Sequence, residues 1–264
     1  MVDFSAIRQV FLDMDGTIYE GSHLYECTNP FLAFLKKNKI GYSFLSNNSS
    51  YSVREYVARL QNMGVDATEK NFYSSTLYAI DYLKKYHPEI RKIFLLGMAG
   101  IVPEFEGAGF QVVDEAPDAV ILAFDRSLVY DRLCKASWYI SKGVPGFATH
   151  PDVFCPTDQP TFLVDCGAIT KCVETATGKT VKVLGKPDPG MLLAGAARCN
   201  VQASEVMMIG DRLSTDIAVG CNAGAWTCHI STQNDYSGVP EKMRPSITCR
   251  DLAELQKYWE KSSV

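Results

Sequence analysis

Four times in this chain an apolar, β-type run ends directly on polar residues and gives way to a helical pattern, and that recurrence dictates the class of fold. Gln9 to Asp13 precedes a helix near Pro30 to Lys37, and Tyr42 to Ser46 precedes one over Val53 to Met63. A run ending at Leu184 precedes a helix from about Gly190 to Cys199, and Val206 to Ile209 precedes one ending near Ala223. Strands alternating with helices predict an α/β fold with a parallel sheet wrapped by helices. A strand near Trp226 to Ile230 and a helix over Asp251 to Glu260 close the pattern. Lys92 to Leu96, Ala119 to Phe124 and Gly146 to Thr149, with a helix over Tyr130 to Ser141, predict a second α/β unit in the middle third.

The chemistry collects where those strands end. In Phe11-Leu12-Asp13-Met14-Asp15-Gly16-Thr17 the residues two apart share a strand face, so Asp13 and Asp15 point one way and Met14 the other. Carboxyl ends of parallel strands are where ligands bind, and two acids side by side there cost electrostatic energy unless a cation or a shared proton relieves it. Ser46-Asn47-Asn48-Ser49 brings hydroxyl, amide and backbone donors to a helix N-terminus, where the dipole favours an anion. Ser52 and Glu55 have capping-box spacing at the start of that helix. In Gly185-Lys186-Pro187-Asp188-Pro189, Asp188 reads as an N-cap with Pro189 at the first helical position. Lys186 has no such structural duty, and can balance negative charge. Gly210-Asp211-Arg212 repeats the strand that ends in an acid. Asp211 is a candidate metal ligand, and Asp216, in the first turn of the next helix, a candidate to hold that ligand shell or the lysine. Together these ends supply carboxylates, one lysine and neutral donors, the inventory of a magnesium phosphoryl-transfer site.

Composition narrows the remaining classes. The 264 residues are 47% hydrophobic, enough for a packed core, and the formal net charge of −4 comes from well-mixed charges. Without a basic stripe, nucleic acid is not an expected partner. No window approaches the ~20 apolar residues of a membrane span, and a cytoplasmic protein is expected. The nine cysteines are scattered without metal or redox spacing, which fits a reducing compartment and a role as small buried apolar residues.

The four segments, in this order, resemble the haloacid dehalogenase superfamily across essentially the whole chain. The insertion between Ser46-Asn47-Asn48 and Lys186 is similar to that of its NagD-like branch, which has a large type 2 cap and includes sugar-phosphate, nitrophenyl-phosphate, phosphoglycolate and pyridoxal-phosphate phosphatases. The resemblance implies a Rossmann-like, doubly wound core over residues 1–80 and 182–264 and an inserted α/β cap over 81–181. It implies that Asp13 is the nucleophile and forms an aspartyl phosphate, that Asp15 is general acid and base, and that Ser46, Asn47, Asn48 and Lys186 hold the phosphate. Mg²⁺ is implied on Asp13, the Asp15 carbonyl and Asp211, with Asp216 orienting that shell. Thr149-His150-Pro151-Asp152 resembles a family segment that usually has asparagine at the place of His150, so His150 and Asp152 become candidate cap contacts to substrate. Asp165-Cys166-Gly167-Ala168 lies where relatives have a glycine-rich loop, and Trp138 and Tyr139 are expected in the core. Expected partners are a small phosphorylated metabolite and a second copy paired through the cap. Two rival functions stay open: a phosphotransferase to an acceptor other than water, and a non-catalytic protein that binds phosphorylated ligands.

Overall fold

The computed structural model describes residues 2–157, 159–233 and 235–262. Two compact units emerge, one of Met1–Ser46, Val57–Tyr73 and Lys186–Val264, the other of Asn47–Tyr56 and Ser74–Gly185. One boundary, between Tyr73 and Ser74, falls just before the helix Ser75–Tyr86.

The first unit is built on a six-stranded sheet in the order Ile247–Cys249, Trp226–Ile230, Val206–Gly210, Gln9–Leu12, Gly41–Ser46, Phe72–Ser74. The four pairs from Ile247–Cys249 through to Gly41–Ser46 are parallel. Gln9–Leu12 and Val206–Gly210 are buried at every position, as strands covered by helices on both faces must be. Chain order runs outward from Gln9–Leu12 on one side and then, from Val206–Gly210, on the other. This is the doubly wound pattern that the family resemblance implies.

The second unit carries its own parallel five-stranded sheet, ordered Lys182–Val183, Gly146–Ala148, Ala119–Leu122, Lys92–Leu96, Gln111–Val112. Apolar clusters cover both faces, one around Ile93, Ile121 and Phe105, the other around Phe94, Val120 and Ile169. A separate antiparallel pair, Phe154–Pro156 with Phe162–Val164, extends from this unit.

Several expectations need correction. Asp165 caps the helix Cys166–Thr177, its carboxylate accepting the Cys166 N–H at 2.6 Å. Trp138 is 58% exposed, because the apolar stripe of Tyr130–Ser141 turns Ala136 and Ile140 inward instead; Tyr139 is half-buried and packs on Phe94. Cys166, Cys228 and Cys249 are buried as small apolar residues, but Cys134 and Cys172 are exposed on helix surfaces.

Candidate active site

Gln9–Leu12 and Val206–Gly210 are neighbours at the point where strand order reverses, and loops leaving such strands diverge and open a crevice. Asp13 directly follows the first strand and Asp211 the second. The Asp13 N–H donates to the Ile209 carbonyl at 2.8 Å, which continues the ladder one residue past the strand and fixes the Asp13 side chain at the sheet edge. Met14 is 2% exposed, on the buried side, while Asp15 is exposed.

Gly16 turns the chain with φ +82°, and a Cβ there would lie 2.5 Å from an Asp211 carboxylate oxygen. Only glycine supplies both that dihedral and that clearance. Gly210 is held to glycine by the same kind of crowding, since its Cβ would meet the Asp216 side chain at 2.3 Å. Asp216 reaches that position from a widened turn, Leu213–Ile217, in which the Ile217 N–H bonds back to the Arg212 carbonyl. Such five-residue turns inside helices recur at functional sites.

Lys186, 2% exposed, sits among these acids. Its Nζ lies 2.5 Å from Asp13 Oδ1 and 2.7 Å from Asp216 Oδ1, and donates to the Leu45 carbonyl at 3.0 Å. Lys186 and these two acids form a buried ion-pair cluster. Asp188, two residues on, caps Pro189–Arg198 through the Gly190 N–H at 2.8 Å, as its sequence position predicts.

One ammonium does not balance three carboxylates. Carboxylate oxygens of Asp13, Asp211 and Asp216 all lie within 4.8 Å of one another, and among the described residues Asp211 Oδ1 is buried without a hydrogen-bond partner. Burial, and then the charge of Asp216, push the Asp13 carboxyl well above the ordinary carboxylate range, with Lys186 pulling it back. The same two causes raise Asp211 to about 6. Burial pulls Lys186 down, but Asp13 and Asp216 outweigh it and hold the ammonium above the usual lysine value. Hard oxygen donors, an orphaned carboxylate oxygen and unbalanced negative charge fit a divalent cation such as Mg²⁺. The Asp15 side chain is not part of this cluster.

Two neighbours were not singled out from sequence. His229, buried in the strand Trp226–Ile230, donates from Nε2 to the Asp211 carbonyl at 2.9 Å and is held at Nδ1 by the Tyr236 hydroxyl at 2.8 Å. A polar residue in the middle of a buried strand was the available signal. Tyr25 lines a cleft of about 670 Å³ that opens on Gly16 and Thr17. Burial raises its phenol first, followed by the charges of Glu20, Asp15 and Asp211.

Asn47, Asn48, His150 and Asp152 belong to the second unit. Asn47 donates from Nδ2 to Asp152 Oδ2 at 3.1 Å, and Asn48 Oδ1 accepts from the N–H and hydroxyl of Ser50. Ser46, the last residue of its strand, is buried. His150 is 0% exposed, with both ring nitrogens in hydrogen bonds. The adjacent Thr149 hydroxyl and Asp165 carboxylate have drawn the ring inward.

Residues 10–111 match the family model for haloacid dehalogenase-like hydrolases, and residues 183–255 match a second HAD-hydrolase-like model. The acid sugar phosphatase of Staphylococcus epidermidis is 31% identical over 253 residues, spanning 93% of this chain and 97% of that protein. The chain belongs to the haloacid dehalogenase-like hydrolases. Within that family its likeness is to phosphatases. The 4-nitrophenylphosphatase of Thermotoga maritima superposes with a TM-score of 0.90 at 34% identity, over 97% of this chain and 99% of that one. NagD from Escherichia coli K-12 superposes at 0.84 with 27% identity, over 94% and 98%. The protein is a NagD-like phosphatase of this family, and among its described residues no helix is long and apolar enough to cross a membrane.

Proposed function

We propose that this phosphatase hydrolyses small phosphate monoesters, sugar phosphates and nitrophenyl phosphate among them, through a phosphoryl group carried on Asp13. The observation that carries this is the cluster of Asp13, Lys186, Asp216 and Asp211 at the strand-order reversal. The names of the sugar phosphatase and nitrophenylphosphatase relatives support the substrate class. In the first step a carboxylate oxygen of Asp13 bonds to phosphorus while the ester P–O bond breaks, and Asp15 protonates the departing oxygen. In the second, Asp15 takes a proton from water, the water oxygen bonds to phosphorus, and inorganic phosphate leaves as the Asp13 carboxylate is regenerated. Lys186, Ser46, Asn47 and Asn48 are assigned to the phosphate oxygens. Mg²⁺ would be held by the Asp13 and Asp211 carboxylates and the Asp15 carbonyl, where it supplies neutralisation of charge on the transferring group. We assign the location to the cytoplasm and include pairing of two copies through the inserted unit, both as expected from the sequence.

Phosphate release from a panel of sugar phosphates, nitrophenyl phosphate and phosphopeptides, with Mg²⁺ or chelator, tests the assignment. Release from small esters that needs Mg²⁺ is expected; preference for phosphopeptides, or full rates in chelator, contradicts it.

The raised Asp211 carboxyl gives a second, independent readout. A carboxyl at about 6 in the fold, against an ordinary 3.8, binds its proton more tightly folded than unfolded. Its contribution to stability is complete below pH 4 and is lost as pH rises to 6. Two units are worth at most about 3 kcal/mol, or roughly 6 °C in Tm for a chain this long. In chelator, Asp211→Asn should therefore melt higher than the unaltered protein at pH 7 but not at pH 4. Added Mg²⁺ should raise only the unaltered protein, so an equal Mg²⁺ response in both removes Asp211 as a ligand.

A further inference from the structure

A continuous chain of buried hydrogen bonds runs through the second unit from Ser49 to Asp165. The Phe124 N–H donates to Ser49 Oγ at 2.9 Å, and Ser49 Oγ lies 3.1 Å from Thr149 Oγ1. Thr149 Oγ1 is 2.9 Å from His150 Nδ1, and His150 Nε2 is 2.9 Å from Asp165 Oδ1. Ser49, Thr149 and His150 are each 0% exposed and Asp165 is 3% exposed, so water does not substitute for any link.

The first link has one direction. Ser49 Oγ already accepts the Phe124 N–H, so its own proton goes to Thr149 Oγ1. Thr149 Oγ1 faces both His150 Nδ1 and the Cys166 sulfur and can donate to either, while the opposite ring nitrogen, Nε2, faces Asp165 Oδ1. Cys166 Sγ accepts from Thr149 Oγ1 at 3.6 Å and donates to the Leu122 carbonyl at 3.3 Å, which ties the chain to the neighbouring strand as well. Every member has a buried partner, and such fully satisfied networks hold one geometry rigidly.

The chain ends on the turn that contains Asn47, Asn48 and Ser49. The His150 segment reaches the same turn again, because Asp152 Oδ2 accepts from Asn47 Nδ2, while Gly167 N–H fixes the Asp152 carbonyl at 2.7 Å. The Ser75 hydroxyl holds the Asn47 carbonyl from a third direction. We infer that His150, backed by Asp165, is a positioning residue that sets the Asn47–Ser49 turn for phosphate through Thr149 and Ser49, without itself touching the substrate. The inference rests on the proposed assignment of that turn to phosphate. Anion sites gain their affinity from donors held in place before the ligand arrives, and a loosened turn pays that ordering on binding.

Calorimetric binding of inorganic phosphate to the full chain in Mg²⁺, with Tm measured alongside, tests this without relying on turnover. His150→Ala breaks the link between Thr149 and Asp165, whose side chains keep Ser49 and Cys166 as partners, and should weaken phosphate binding roughly tenfold, the worth of about one buried hydrogen bond. His150→Asn places its Oδ1 near the former Nδ1, still able to accept from Thr149, and should recover affinity to within about threefold. His150→Gln instead keeps a donor toward Asp165, and should recover Tm more than affinity. Equal phosphate affinity in the alanine, asparagine and glutamine variants, whatever their Tm, overturns the role of His150; so does a glutamine variant that binds as well as the asparagine one. If the alanine variant does not fold, the asparagine–glutamine contrast decides alone. Absence of phosphate binding by the unaltered protein overturns the assignment of the turn itself, and this inference with it.

Discussion

Asp13→Asn should lower phosphate release by a factor on the order of 10⁴ or more while leaving the protein folded. Asparagine keeps the size of the side chain and an oxygen that can accept from Lys186, which now lies 2.5 Å from Asp13 Oδ1. It removes the negative charge and the oxygen nucleophile, so no phosphorylated intermediate forms. Because burial and Asp216 both oppose the ionised form of Asp13, its loss should not lower Tm in chelator. The measurement is release of phosphate from a saturating sugar phosphate in Mg²⁺, beside far-UV circular dichroism through the melt. A variant that is folded and retains even a tenth of the rate eliminates Asp13 as the nucleophile. An inactive variant that has also unfolded is separated from this case by its melt.

The strands that make this prediction possible were legible because each is buried on both faces and so writes itself as a continuous apolar run. Trp226–Ile230 and the helix Tyr130–Ser141 fall at the residues expected from pattern alone. Asp188-Pro189 was legible for another reason: cap and first-turn preferences are local and need no knowledge of the fold. The short antiparallel pairs, Tyr19–Glu20 with His23–Leu24 and Phe154–Pro156 with Phe162–Val164, were not, since strands of two or three residues are too short to show alternation. On the second of these, Phe154, Phe162 and Val164 are exposed, which breaks the rule that apolar residues mark the core.

Chemistry was legible to the same depth. Acids at strand ends announced themselves, because strands in one parallel sheet bring their carboxyl ends to one edge. What each acid touches depends on register and on which strands are neighbours, which no single segment records. Thus Asp216 was left between supporting a ligand shell and supporting the lysine, and its 2.7 Å contact to Lys186 is visible only once Gly210 and the widened turn place it. His150 shows the limit most clearly: an unusual residue in a loop suggested a substrate contact, whereas the buried partner it holds, Asp165, lies 15 residues away in sequence, where no local pattern announces it.

Lys186→Met is the second large effect, and its interest is that stability and turnover should part company. The substitution keeps much of the buried stem but leaves the carboxylates of Asp13 and Asp216 without their ammonium, beside Asp211. Removing one partner of a buried charge pair costs about 3–5 kcal/mol, or roughly 10 °C in Tm here. That loss should appear in chelator at pH 7 and shrink at pH 4, where protons neutralise the acids. Mg²⁺ should restore a large part of the Tm, since a divalent cation relieves the same crowding. It should not restore turnover, which is expected to stay depressed by about 10²–10³, because a donor aimed at the transferring group has been lost. Lys186→Arg is expected to remain impaired as well, since a planar fork does not reproduce a compact ammonium shared among Asp13, Asp216 and the Leu45 carbonyl. Recovery of turnover together with Tm on adding Mg²⁺ would mean that Lys186 only balances charge, and its place on the phosphate would have to be given up.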